Sequence, residues 1–112
     1  MPLFCMTGNY TAKALAAMGK SNNGTSRREV ISNVLEQAGG RVVEMYYTSH
    51  DGPGVMLIFE AEPAVARAVT GIGKANEAVE NIKFTRLFSQ EEVMATREAR
   101  RQMEPNYIPP GQ

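Results

Sequence analysis

The densest apolar stretch of the chain is Val55-Met56-Leu57-Ile58-Phe59, preceded by the polar, glycine-rich turn Thr48-Ser49-His50-Asp51-Gly52-Pro53-Gly54 and followed by Glu60. A strand with one wet face alternates apolar and polar residues, so an unbroken run predicts a strand covered on both faces. Leu3-Phe4-Cys5-Met6, continuing into Thr7-Gly8-Asn9-Tyr10, also lacks strict alternation and predicts a second such strand. Two further strands have mixed character and read as sheet edges. Arg41 to Thr48 puts Val42, Glu44, Tyr46 and Thr48 on one face and Val43, Met45 and Tyr47 on the other; Asn81 to Phe88 is the last strand.

Between these runs the spacing changes to that of helices. Thr11 caps a short helix over Ala12 to Met18, ended by Gly19, and residues 20 to 25 read as a surface loop. Ser26 with Glu29 forms a capping box, and Val30, Ile31, Val34, Leu35 and Ala38 make one apolar stripe up to the stop at Gly39-Gly40. Ala61-Glu62-Pro63 opens another helix, with its stripe at Val65, Ala68, Val69 and Ile72; Gly71 and Gly73 weaken its end, and residues 75 to 80 are a connector. Ser89 with Glu92 is a second capping box, starting a helix to about Met103 with an acidic beginning and Arg97, Arg100 and Arg101 at its end. Pro105-Asn106-Tyr107-Ile108-Pro109-Pro110 is expected to be an extended arm.

This order predicts an α+β, ferredoxin-like βαββαβ domain over residues 1–88, followed by a C-terminal helix and arm over residues 89–112. The first and third strands lie at the centre of one four-stranded antiparallel sheet, and right-handed crossovers place both main helices on one face. The other face is then bare. At about 25 cal/mol per Å² of apolar area, leaving it wet forfeits many kcal/mol, so a homodimer joined through that face is expected; the alternative is that the terminal helix folds back across it through Val93 and Met94.

Composition narrows the partners. Twelve Lys and Arg balance twelve Asp and Glu, so no net field draws the chain to nucleic acid or anionic lipid. The single cysteine, Cys5, sits in an apolar strand and reads as a small hydrophobe in a reducing compartment. With no signal-like or membrane-length apolar segment, a cytoplasmic protein is expected. No cofactor and no metal site are expected, because neither the one histidine nor the one cysteine has ligand spacing.

His50-Asp51 is the pair with the most chemistry in it, a histidine beside a carboxylate that can orient it as a general base; the same residues followed by Gly-Pro-Gly are also ordinary turn chemistry. Tyr10, Tyr46 and Tyr47 are candidates for a ligand pocket, or else fill core and dimer seam with their hydroxyls at the rim. Arg86 is a candidate anion ligand, or pairs with Glu44 or another edge carboxylate.

Tyr10-Thr11, Gly39-Gly40-Arg41, Tyr46-Tyr47-Thr48, Phe59-Glu60-Ala61 and above all Thr85-Arg86-Leu87-Phe88-Ser89-Gln90-Glu91-Glu92 together resemble the GYD-domain family over roughly the first four-fifths of the chain. The resemblance implies a subunit of the dimeric α/β-barrel type. It departs at the naming motif: where that family carries Gly-x-Tyr-Asp between the second and third strands, this chain has His50-Asp51-Gly52-Pro53-Gly54. Two functions fit. One is a homo-oligomeric module that binds a small molecule or serves as an accessory; the other is a small cofactor-independent oxygenase or isomerase acting on an aromatic or quinone-like substrate, similar to enzymes of the barrel superfamily.

Overall fold

The computed structural model describes residues 1–20 and 26–111. Its elements run β1 (Leu3–Tyr10), α1 (Ala12–Lys20), α2 (Arg27–Gln37), β2 (Arg41–Thr48), β3 (Gly54–Glu60), α3 (Pro63–Ala75), β4 (Val79–Leu87) and α4 (Gln90–Met103), closed by a single 3-10 turn over Glu104–Asn106. All strand pairs are antiparallel, in the order β2-β3-β1-β4. The two strands with unbroken apolar runs therefore occupy the middle, and the mixed ones the edges, in a ferredoxin-like α+β fold.

The core lies on one face of this sheet. Phe4 and Met6 of β1, Leu57 and Phe59 of β3, Leu35 of α2 and Ala66 of α3 are buried together there. Phe4 stacks on Phe84 with ring centroids 5.0 Å apart and meets Phe59 at 5.8 Å, so one aromatic cluster ties both central strands to β4. Burial alternates strictly along β1, which shows how an apolar strand still has a covered and an open side. The open side carries Leu3, Cys5, Met56, Ile58 and Leu87, none of them in the core cluster.

Several local expectations need correction. A bulge at Val43 breaks the alternation of β2, so Val42 joins Met45 on the core side, while Glu44 and Tyr46, opposite Ile58 and Met56, face the open side. β4 starts at Val79 rather than Asn81 and ends at Leu87. A second bulge there sets Ile82 and Asn81 against Gly8, and Asn81 takes a positive φ of 54° to make it. Gly8 is required at that point, since a Cβ would come within 2.3 Å of Val79 Cγ1. α3 continues through both of its glycines to Ala75, and its core-facing stripe is buried Ala66 with half-buried Val65 and Val69, while Ala68 and Ile72 are exposed. α1 likewise passes through Gly19 to Lys20, because one glycine weakens a helix without obliging it to stop. The loop expected after Lys20 lies outside the described residues.

The caps behave unequally. Thr11 Oγ1 accepts the Ala14 N–H at 3.1 Å, as its sequence position implied. Ser26 Oγ accepts the Glu29 N–H at 3.1 Å, but only this half of the first box forms. At Ser89 the box is complete: Oγ accepts the Glu92 N–H at 3.1 Å, and the Glu92 carboxylate accepts the Ser89 N–H at 3.2 Å.

α4 does not fold back over the sheet. Only Glu92 and Val93, in its first turn, are even half-buried. The chain measures 63 × 30 × 22 Å with a radius of gyration of 18.4 Å, against about 13 Å for a compact chain of this length. Beyond α4 the proline-rich segment opens with the 3-10 turn, where Tyr107 N–H reaches Glu104 O at 3.1 Å, before becoming extended. Pro105 fits that turn because its first positions need no N–H.

Candidate ligand cleft

α2 lies along β2 and α3 along β4, leaving the sheet between them incompletely covered. The result is an apolar cleft of about 130 Å³. Its floor is Met6, Val55 and Leu57, and its walls are Val30, Ile31 and Val34 of α2 and Val69 and Ile72 of α3. Val34 and Ile72, 44% and 51% exposed, stand at its mouth. Val79 closes one end, put there by the β4 bulge over Gly8.

Tyr10 and Arg27 bring the polar side-chain groups to this lining. Tyr10 is the last residue of β1, its N–H bonded to Pro53 O at 3.0 Å, and its ring is buried on the helix side. Burial pushes its phenol up from the ordinary value, Tyr47 adds to this, and the positive charge of Arg27 opposes it. At neutral pH Tyr10 is therefore a hydrogen-bonding phenol and not a base. Tyr47 sits beside it, ring centroids 6.5 Å apart and tilted by 41°, but is 66% exposed.

The other candidates are dispersed. Tyr46 projects from the opposite, open face of the sheet, next to Met56, so the three tyrosines do not share one pocket. Adjacent strand residues point to opposite faces, which separates Tyr46 from Tyr47. His50 and Asp51 form the β2–β3 turn. His50 Nε2 lies 3.3 Å from Asp51 Oδ2, with side chains 90% and 78% exposed, and neither lines the cleft. Asp51 and Gly52 adopt positive φ of 58° and 110°, and the turn is held from below by Asn9 Nδ2, which donates to His50 O at 2.9 Å.

Arg86 is committed to structure. Its partner is Glu92 at 2.6 Å, not Glu44, which instead lies 3.8 Å from Arg28. The guanidinium also donates to Leu87 O and lies 4.5 Å from the Phe88 ring centroid. Hydrogen bonds from Arg86 and then from the Ser89 amide hold the Glu92 carboxyl below the usual carboxylate range. This knot fastens the first turn of α4 to β4. Sequence reasoning missed Arg27, Ala78 and Val79 as cleft residues; the helix-start position of Arg27 and the bulge that moves Val79 become informative only once α2, α3 and β4 are brought together.

Cys5, on the open face, is only half-buried in the single chain, and burial raises its thiol pKa, so it is no activated thiolate. Among the described residues no group of three or more His, Cys, Asp or Glu is placed to hold a metal ion, and no helix is long and apolar enough to cross a membrane.

A four-stranded ferredoxin-like sheet with an apolar cleft beneath two crossover helices and an uncovered opposite face defines the structural class. Within that class, the family model described as the GYD domain matches residues 4–96, and the chain belongs to the GYD-domain family. The match runs from β1 into α4 and stops short of the end of that helix and the arm. A search of curated proteins returned no match.

Proposed function

We propose that the protein is a homodimeric small-molecule-binding module, with its sheets packed open face to open face and each cleft taking one small, largely apolar molecule. The observation that carries the binding reading is the cleft itself, since an apolar cavity of about 150 Å³ accepts benzene and this one is of that order, at about 130 Å³. Its floor is preformed by the buried residues Met6, Val55 and Leu57, so a ligand displaces water without rearranging the sheet. The oxygenase or isomerase reading has less support. The cleft presents a protonated phenol and a guanidinium, neither of which is a base at neutral pH.

Self-association is supported by the composition of the open face. Leu3, Cys5, Met56 and Ile58 occupy its central strands, while Glu44 and Lys83 stand on the edge strands and Arg41 pairs with Glu60 at 2.9 Å near one corner. An apolar centre within a charged rim is how protein interfaces are built. α4 and the arm, with Met94, Met103, Tyr107 and Ile108 at 57%, 66%, 66% and 74% exposure, extend away from their own sheet and reach a second copy in this reading.

The binding reading is tested by titrating benzyl alcohol into the protein while following methyl resonances. Val30, Leu57 and Val69 should shift together and saturably, and Ile72→Trp, which fills the mouth from an already exposed position, should abolish the shifts. Unmoved cleft methyls, or equal binding by the Ile72→Trp variant, would overturn it.

A further inference from the structure

We propose that the cleft selects molecules with an anionic head, specifically a carboxylate on a benzene-sized ring or short alkyl chain, held at its Tyr10–Arg27 end. This deepens the small-molecule reading above and rests on it.

The argument begins with how polarity is distributed. The two polar side chains of the lining are both at one end, and both also line a second hollow of about 220 Å³ between α1 and the α3–β4 turn, together with Lys13, Asn76 and Glu77. Tyr10 and Arg27 thus stand at the junction of an apolar chamber and a second hollow that also carries the Lys13–Glu77 ion pair. A ligand with one greasy part and one polar part fits this only one way round, with its polar group at the junction.

The sign of that polar group follows from charge. Lys13 is matched, its Nζ lying 3.0 Å from Glu77 Oε2. Among the described residues no carboxylate lies within ion-pair distance of Arg27. Among the described residues, then, the junction carries a positive charge without a carboxylate partner, beside a phenol whose hydroxyl makes no hydrogen bond to a described residue. A carboxylate suits both, one oxygen or two on the guanidinium fork and one on the phenol O–H. A neutral amide of the same shape offers the guanidinium one uncharged acceptor, without the charge assistance of a carboxylate, and an ammonium is repelled.

The test uses benzoate and its neutral isostere benzamide, titrated against the intact chain by calorimetry and by the same methyl resonances. Benzoate should bind at least about tenfold more tightly than benzamide, the margin typical of a charge-assisted hydrogen bond over a neutral one. Arg27→Gln should bring the ratio close to one, weakening benzoate far more than benzamide, with an unchanged melting temperature and unchanged core methyl resonances showing that the variant is folded; Arg27→Lys should retain part of the preference. Equal affinities in the unaltered protein, or an Arg27→Gln variant that loses both probes equally, overturn the charge selection while the cleft stands. If neither probe moves the cleft methyls, the binding reading falls and this inference falls with it.

Discussion

Ile58→Lys is the sharpest probe of the open face. Ile58 sits mid-strand on β3, directly opposite Glu44 on β2 and Cys5 on β1, and points away from both crossover helices. Full burial of an isoleucine side chain is worth about 1.5–3 kcal/mol. Its neighbours in the sheet already shield part of it, so about 1–2 kcal/mol remains to be gained from a partner. A two-fold interface buries the same residue twice, which makes about 2–4 kcal/mol, or roughly a 30- to 700-fold weaker dimer. Two lysine ammoniums forced toward each other add desolvation and repulsion, so this range is a floor. In an isolated chain, by contrast, the position is at the surface, and a lysine there changes stability by only about 0.5 kcal/mol. Sedimentation velocity across a dilution series should show a dimer for the unaltered protein and a folded monomer for the variant. The melting temperature of the former should rise with concentration and that of the latter should not. A chain that is monomeric to begin with, or an Ile58→Lys variant with undiminished dimer affinity, refutes the reasoning.

Three further outcomes follow from other parts of the molecule. Gly54→Ala places a Cβ 2.4 Å from Gly8 O and 2.6 Å from Thr48 Oγ1, so β1 and β3 must part and stability should fall by about 1–3 kcal/mol in urea titration; Gly71→Ala, on an exposed helical site with nothing within 4 Å, should raise it by about 0.5–1 kcal/mol. The Glu92 carboxyl is held below its ordinary value in the folded chain, so its contribution to anchoring α4 is complete above the unfolded-state value and is lost as pH falls through the depressed one; circular dichroism should show α4 fraying in that acid range, and Glu92→Gln, already lacking the charge, should show no such step. Truncation after Met103 removes Tyr107 and Ile108 and should lower the oligomer's melting temperature; unchanged mass and melting temperature would mean that the arm touches no second copy.

Much of this architecture is legible in the order of residues, because it depends on short-range physics. Unbroken apolar runs mark Val55–Phe59 and the start of β1 as central strands, since no edge strand tolerates grease on both sides. The Ser89–Glu92 box locates the start of α4 to the residue, because its two hydrogen bonds close within four consecutive positions. What no local pattern contains is anything set by pairing. The extra residues at Val43 and Asn81 are invisible until a partner strand shows which neighbour is left over, yet they decide that Val42 faces the core and that Val79 closes the cleft. Arg86 finding Glu92 instead of Glu44 depends on where α4 leaves the sheet. The cleft is the extreme case: β1, α2, β3, α3 and β4 each supply part of its surface, and only packing brings Tyr10 and Arg27 to the same end of it. Sequence alone determined which segments are strands and helices and, where no bulge intervenes, much of which side is greasy; tertiary structure decided the bulged faces, the partners and the apolar cleft, because those depend on distances between residues far apart along the chain.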